Sequence, residues 1–122
     1  MKMKILLIDD EFNEYHEMME EILGCEIIYT GPTLRSKEGL EIIRQHSEAD
    51  WILLDGSFKA HTNCMEIVPH LSPAEIQKVI CFSGMAYDWI QPMKPYGVRH
   101  FPGKYLDKVT ACIQCKCECE KI

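Results

Sequence analysis

Three features of the sequence predict an α/β fold, a doubly wound five-stranded parallel sheet with helices on both faces. Short runs are apolar throughout, as strands buried on two faces must be; stretches of helical apolar period alternate with them; and polar residues repeatedly follow the ends of the runs. Right-handed crossovers would join successive strands.

Lys4-Ile5-Leu6-Leu7-Ile8 is the first such run and stops at Asp9-Asp10-Glu11. From Asn13 the period becomes helical, with Phe12, Tyr15, Met19 and Ile22 on one stripe and Gly24 as the C-terminal stop. Residues 26–30 predict a second strand ended by Gly31-Pro32. Residues 35–46 predict a second helix with Leu40, Ile42 and Ile43 inward. Trp51-Ile52-Leu53-Leu54 is a third buried strand running into Asp55-Gly56, and the stretch from Cys64 to Leu71 predicts a short third helix.

Ser72-Pro73-Ala74-Glu75 combines a capping residue, a proline at the first helical position and a glutamate three residues after the cap, so a helical turn begins there. Residues 79–82 predict a fourth strand. Pro92 and Pro95 lack amide donors and should truncate or kink the fourth helix. Residues 98–101 predict a brief fifth strand, and from Tyr105 onward Leu106, Val109 and Ile113 recur at helical spacing.

A chain of 122 residues is the size of one domain, residues 1–122, able to bury roughly two-thirds of its unfolded surface. Thirteen basic against 19 acidic residues give a net charge of -6, and no Lys/Arg run could neutralise a series of phosphates, so no nucleic-acid partner is expected. The first apolar run is too short for a secretory signal or membrane span, which predicts a cytoplasmic protein with no membrane association. Seven cysteines, an odd number with four crowded near the end, argue for reduced thiols rather than a disulfide framework.

In a doubly wound sheet, ligands bind at the carboxyl ends of the strands. Asp9-Asp10, Asp55, Ser83 and Lys104 fall after the first, third, fourth and fifth strands, so the topology gathers them at one cleft. Grouped carboxylates repel by roughly 4 kcal/mol per pair at about 4 Å and an effective dielectric near 20, and a divalent cation relieves this. Oxygen donors without a histidine partner favour Mg²⁺. Singly, Asp10 and Asp55 could be helix caps or loop residues, and Lys104 a solvated lysine; capping does not, however, require acids to collect at one sheet edge.

Through Ile8-Asp9-Asp10-Glu11, Leu53-Leu54-Asp55, Phe82-Ser83-Gly84 and Phe101-Pro102-Gly103-Lys104, the chain resembles the response-regulator receiver domains, flavodoxin-like in fold, over essentially its whole length. That resemblance implies a phosphorelay switch rather than an enzyme, one that catalyses only its own phosphorylation and dephosphorylation. Asp55 would take a phosphoryl group from a histidine kinase, a phosphotransfer protein or a small donor. Asp10, Asp55 and the Ser57 carbonyl would hold Mg²⁺, with Asp9 acting through a water. Ser83 would hydrogen-bond a phosphoryl oxygen, Lys104 would neutralise another, and Phe101 matches the family's switch aromatic.

The family pattern is departed from at several points. Lys59 replaces a usual proline four residues beyond the acceptor, and His61-Thr62-Asn63 follow without the familiar glycine. Gly56 follows the acceptor. Lys104 is followed by Tyr105 where the family has a cis proline; a cis bond without proline costs roughly 3 kcal/mol, so a trans bond and a shifted lysine are expected. With no sequence left for an output domain, output is expected to pass to a downstream protein target.

Two other functions fit parts of the pattern. One is a pseudo-receiver that serves as an unphosphorylated interaction module. The other is a small Asp-nucleophile phosphohydrolase, against which Ser57 stands where a second acid is wanted. Separately, Cys112, Cys115, Cys117 and Cys119 are spaced closely enough to raise zinc or iron–sulfur ligation. On a continuous helix, Cys117 would point away from the other three.

Overall fold

The computed structural model describes residues 3–10, 16–59 and 61–114. Four strands, β1 (Lys4–Ile8), β2 (Glu26–Ile28), β3 (Trp51–Leu54) and β4 (Val79–Cys81), form one parallel sheet in the order β2-β1-β3-β4. Ile8 pairs with Leu54 and Leu54 with Cys81, so β1, β3 and β4 end level with one another. The helices are α1 (His16–Leu23), α2 (Ser36–Gln45), α3 (Pro73–Ile76), α4 (Ala86–Met93) and α5 (Leu106–Ile113).

Alternation along each strand divides the core into two layers. Leu6, Ile8, Ile52, Leu54, Val79 and Cys81 point to one face and pack with Ile43 of α2, Ile76 of α3 and Ile90 and Met93 of α4. Ile5, Leu7, Leu53 and Ile80 point to the other, against Met19 of α1 and Val109 and Cys112 of α5. Helices therefore cover both faces, and the unbroken apolar runs of β1 and β3 have the burial they require.

Three sequence expectations need correction. Residues 98–101 form no full strand: only His100 bridges to Ile80, and the Cys81 amide donates to the His100 carbonyl at 2.9 Å. The ladder's next rung would need an amide from Pro102, which has none. Val98, His100 and Phe101 are nevertheless buried in the position expected of a fifth strand.

The expected third helix is two 3₁₀ turns, Cys64–Glu66 and Val68–His70, the first capped by Asn63 Oδ1, which accepts from the Met65 amide at 2.8 Å. Pro69 has no amide for the Met65 carbonyl and would clash with it in an α-helix. In α1, Met19 is buried but Ile22 is about half exposed (51%); Leu23, four residues after Met19, packs on the core in its place. Phe12 and Tyr15, the rest of that stripe, lie outside the described residues. As expected from Pro92 and Pro95, the fourth helix is short: α4 stops at Met93 and passes into a 3₁₀ turn, Lys94–Tyr96, that closes at Gly97 with φ +102°.

The capping box forms as read: Ser72 Oγ accepts from the Glu75 amide at 3.2 Å, and Glu75 Oε1 accepts from the Ser72 amide at 2.8 Å. Cys112 is a fully buried packing residue of α5, while Cys115, Cys117 and Cys119 lie outside the described residues. Among the described residues, no helix is long and apolar enough to cross a membrane.

Candidate functional site

The level strand ends decide which side chains meet. The Asp55 amide donates to the Ile8 carbonyl at 2.9 Å and the Phe82 amide to the Leu54 carbonyl at 2.8 Å, so Asp9, Asp55 and Ser83 emerge side by side. Asp9, Asp10 and Asp55 each contribute a carboxylate oxygen to a group whose members lie within 4.8 Å of one another. Asp9 and Asp55 are buried, and Asp10 is partly exposed.

Lys104 closes the cluster. Its Nζ lies 3.0 Å from Asp9 Oδ2 and 3.9 Å from Asp55 Oδ2, with the Phe82 ring 5.6 Å away. The bond from Lys104 to Tyr105 is trans, as expected without a following proline, and the lysine still reaches both carboxylates. No peptide bond among the described residues is cis; instead Gly103 takes a left-handed φ of +71° immediately before the lysine. A glycine adopts this turn without the Cβ penalty, and the chain delivers Lys104 to the carboxylates by another route.

With three acids and one lysine, the ionised cluster would carry a net charge of 3 × (-1) + 1 = -2. Burial is the main cause that pushes the Asp55 carboxyl up to about 7; the charge on Asp9 and a hydrogen bond with Asp10 add to it, and Lys104 and the Gly56 amide oppose it. Beneath the site, burial likewise pushes the Cys64 thiol up to about 12, so it is no nucleophile at neutral pH.

The donor set fits Mg²⁺. These are hard carboxylate oxygens, close enough together to share one small cation and carrying excess negative charge, with Asp10 partly exposed. Ser83 is buried, and its Oγ accepts from the Met85 amide at 3.2 Å, which leaves the hydroxyl proton to be donated elsewhere. Ser57 is exposed and bridges to Asn63 across the loop after β3. In that loop His61 takes the left-handed conformation at φ +58°. Phe101 is buried in the core layer beneath α4.

Sequence reasoning missed Trp89. Its indole lies against Gly56, the residue after Asp55, and walls an open cleft of about 480 Å³ together with Ser57, Phe58, His61, Thr62 and Asn63. The only signal was Gly56 itself, a glycine with no turn to serve.

No family model matches the sequence, and no curated protein matches it. The structure is similar to the signal receiver domain of a Luxo repressor protein from Vibrio parahaemolyticus, with a TM-score of 0.69 and 14% identity over 99% of this chain and 94% of that one. It is also similar to the N-terminal receiver domain of RstA from Klebsiella pneumoniae, solved in a BeF3-activated state, with a TM-score of 0.65 and 15% identity over 93% of this chain and 97% of that one. The fold is thus that of response-regulator receiver domains, a parallel α/β sheet covered on both faces.

Proposed function

We propose that this chain is a phosphorylation-dependent signalling switch of a two-component phosphorelay, with Asp55 as the phosphoryl acceptor. The observation that carries the reading is the convergence of Asp9, Asp10, Asp55 and Lys104 from three separate chain segments onto one point at the carboxyl end of the sheet. A helix cap or loop acid needs no such company.

In this reading, an Asp55 carboxylate oxygen attacks the phosphorus of a phosphohistidine or small phosphodonor. The P–O bond to Asp55 forms as the bond to the leaving group breaks, and the leaving group departs with the electron pair. Such transfer asks mainly for positioning and charge neutralisation. Lys104 supplies a cation for a phosphoryl oxygen, Ser83 a hydroxyl proton for another, and the Gly56 amide holds Asp55 Oδ1 at 2.8 Å so that Oδ2 faces the lysine. Bound at Asp9, Asp10 and Asp55, Mg²⁺ would neutralise the charge of acceptor and donor as they approach. The signal would leave by contact with a downstream protein.

Intact-protein mass after incubation with acetyl phosphate and Mg²⁺ tests this. A Mg²⁺-dependent gain of one phosphoryl group in the wild type, absent from Asp55→Asn, is expected. No adduct from a folded sample that also fails to bind Mg²⁺ would refute the switch and favour the unphosphorylated interaction module. Beryllofluoride, which activates the Klebsiella relative, gives an independent probe: with Mg²⁺ it should raise the melting temperature of the wild type and leave Asp55→Asn unmoved.

A further inference from the structure

Gly56 has a backbone conformation open to any residue, since it is not among the glycines of positive φ. Its lack of a side chain is instead required by Trp89. A methyl group built on Gly56 would overlap the indole Nε1 and lie 2.6 Å from Cδ1 and Cε2, closer than atoms of a rigid ring can yield. The indole of α4 therefore occupies the space that the side chain after Asp55 would fill.

Two hydrogen bonds tie this peptide to the site. The Gly56 amide donates to Asp55 Oδ1 at 2.8 Å, and the Gly56 carbonyl accepts from the Cys64 amide at 2.9 Å. Trp89 Nε1 is buried and has no acceptor among the described residues, so the ring is held by packing alone. That is the arrangement of a wedge: α4 presses an aromatic edge onto the one peptide whose amide sets the rotamer of the acceptor carboxylate.

We infer that Trp89 is a positioning residue for the phosphoryl acceptor, acting through Gly56 to hold Asp55 Oδ1 and so to aim Oδ2 at Lys104. This rests on the receiver reading of the site. The cleft lined by Ser57, Phe58, His61, Thr62 and Asn63 gives the indole somewhere to go when displaced, so a Gly56→Ala chain can fold while losing the contact.

The test is the rate of adduct formation from acetyl phosphate at saturating Mg²⁺, as a function of donor concentration, for wild type, Gly56→Ala, Trp89→Ala, the double variant and Trp89→Phe. A misplaced reacting group is expected to lower the maximal rate roughly tenfold in each single alanine variant, with the half-saturating donor concentration within about twofold of wild type. The double variant should be no slower than either single one, because both remove the same contact. Trp89→Phe, which keeps an aromatic edge on the glycine, should recover most of the rate. Single variants at the wild-type rate, losses that multiply in the double variant, or a Trp89→Phe protein as slow as Trp89→Ala would overturn the role of Trp89. A wild type that forms no adduct would instead refute the receiver reading, and this inference with it.

Discussion

Replacing Asp55 by asparagine should stabilise the protein in a pH-dependent way. The carboxyl is raised from 3.8 to about 7, chiefly by burial, so the folded state holds a proton that the unfolded state has released across that interval. Where the native state binds more protons, stability falls as pH rises. The penalty of burying this charge is accordingly absent below about pH 4, grows through the interval and is complete above pH 7. About three pKa units at 1.36 kcal/mol each put its upper value at ~4 kcal/mol. Asparagine is nearly isosteric, and its Oδ1 can still accept from the Gly56 amide, so little packing is lost.

Urea unfolding in Mg²⁺-free buffer reads the difference. At pH 8.5, a gain of about 2–4 kcal/mol corresponds to a midpoint shift of roughly 1–2 M at a slope near 2 kcal/mol/M. At pH 4 the two proteins should unfold at nearly the same midpoint. An Asp55→Asn protein no more stable than wild type at pH 8.5, or equally favoured at both pH values, would refute the electrostatic argument. Adding Mg²⁺ at pH 8.5 should narrow the gap by stabilising the wild type through its carboxylates.

Two further perturbations address how the cluster is held. Lys104→Met keeps the aliphatic stem but removes the ammonium 3.0 Å from the buried Asp9; because Lys104 is itself about a third exposed, a loss of about 1–3 kcal/mol is expected in thermal unfolding without Mg²⁺, and an unchanged melting temperature would show that the pair stabilises nothing. Gly103→Ala places a Cβ in a left-handed conformation, 3.3 Å from the Tyr105 ring, and should lose about 1–2 kcal/mol in urea unfolding. Gly103→Asn brings the same Cβ but tolerates that φ, so it should lose measurably less; equal losses would assign the effect to crowding rather than to backbone.

Elements set by local chemistry are legible in the sequence. The apolar runs of β1 and β3 required burial on both faces, and Ser72-Pro73-Ala74-Glu75 carried its whole cap within four residues. The grouping of Asp9 and Asp55 followed from the level ends of β1 and β3 alone. What could not be read depended on distant partners or on single prolines. Pro69 and Pro102 each withdrew an amide that the expected third helix and fifth strand needed, a small signal against strong apolar patterns. Ile22 satisfied the helical period, but Leu23 took the place against the core, since only the direction of the neighbouring layer decides between positions three and four after Met19. The lysine's arrival by way of Gly103, and the seat of Trp89 on Gly56, are tertiary facts with no local pattern.

The buried cysteines give the two core layers separate clocks. Cys64 and Cys81 sit in the layer beneath α4, Cys25 and Cys112 in the layer beneath α1 and α5, and none is more than 1% exposed. Alkylation of each thiol must wait for its own layer to open, and residue-by-residue labelling rates then order those openings. A signal that loosens one face of the sheet while the other stays shut would be written in which pair of thiols reacts first.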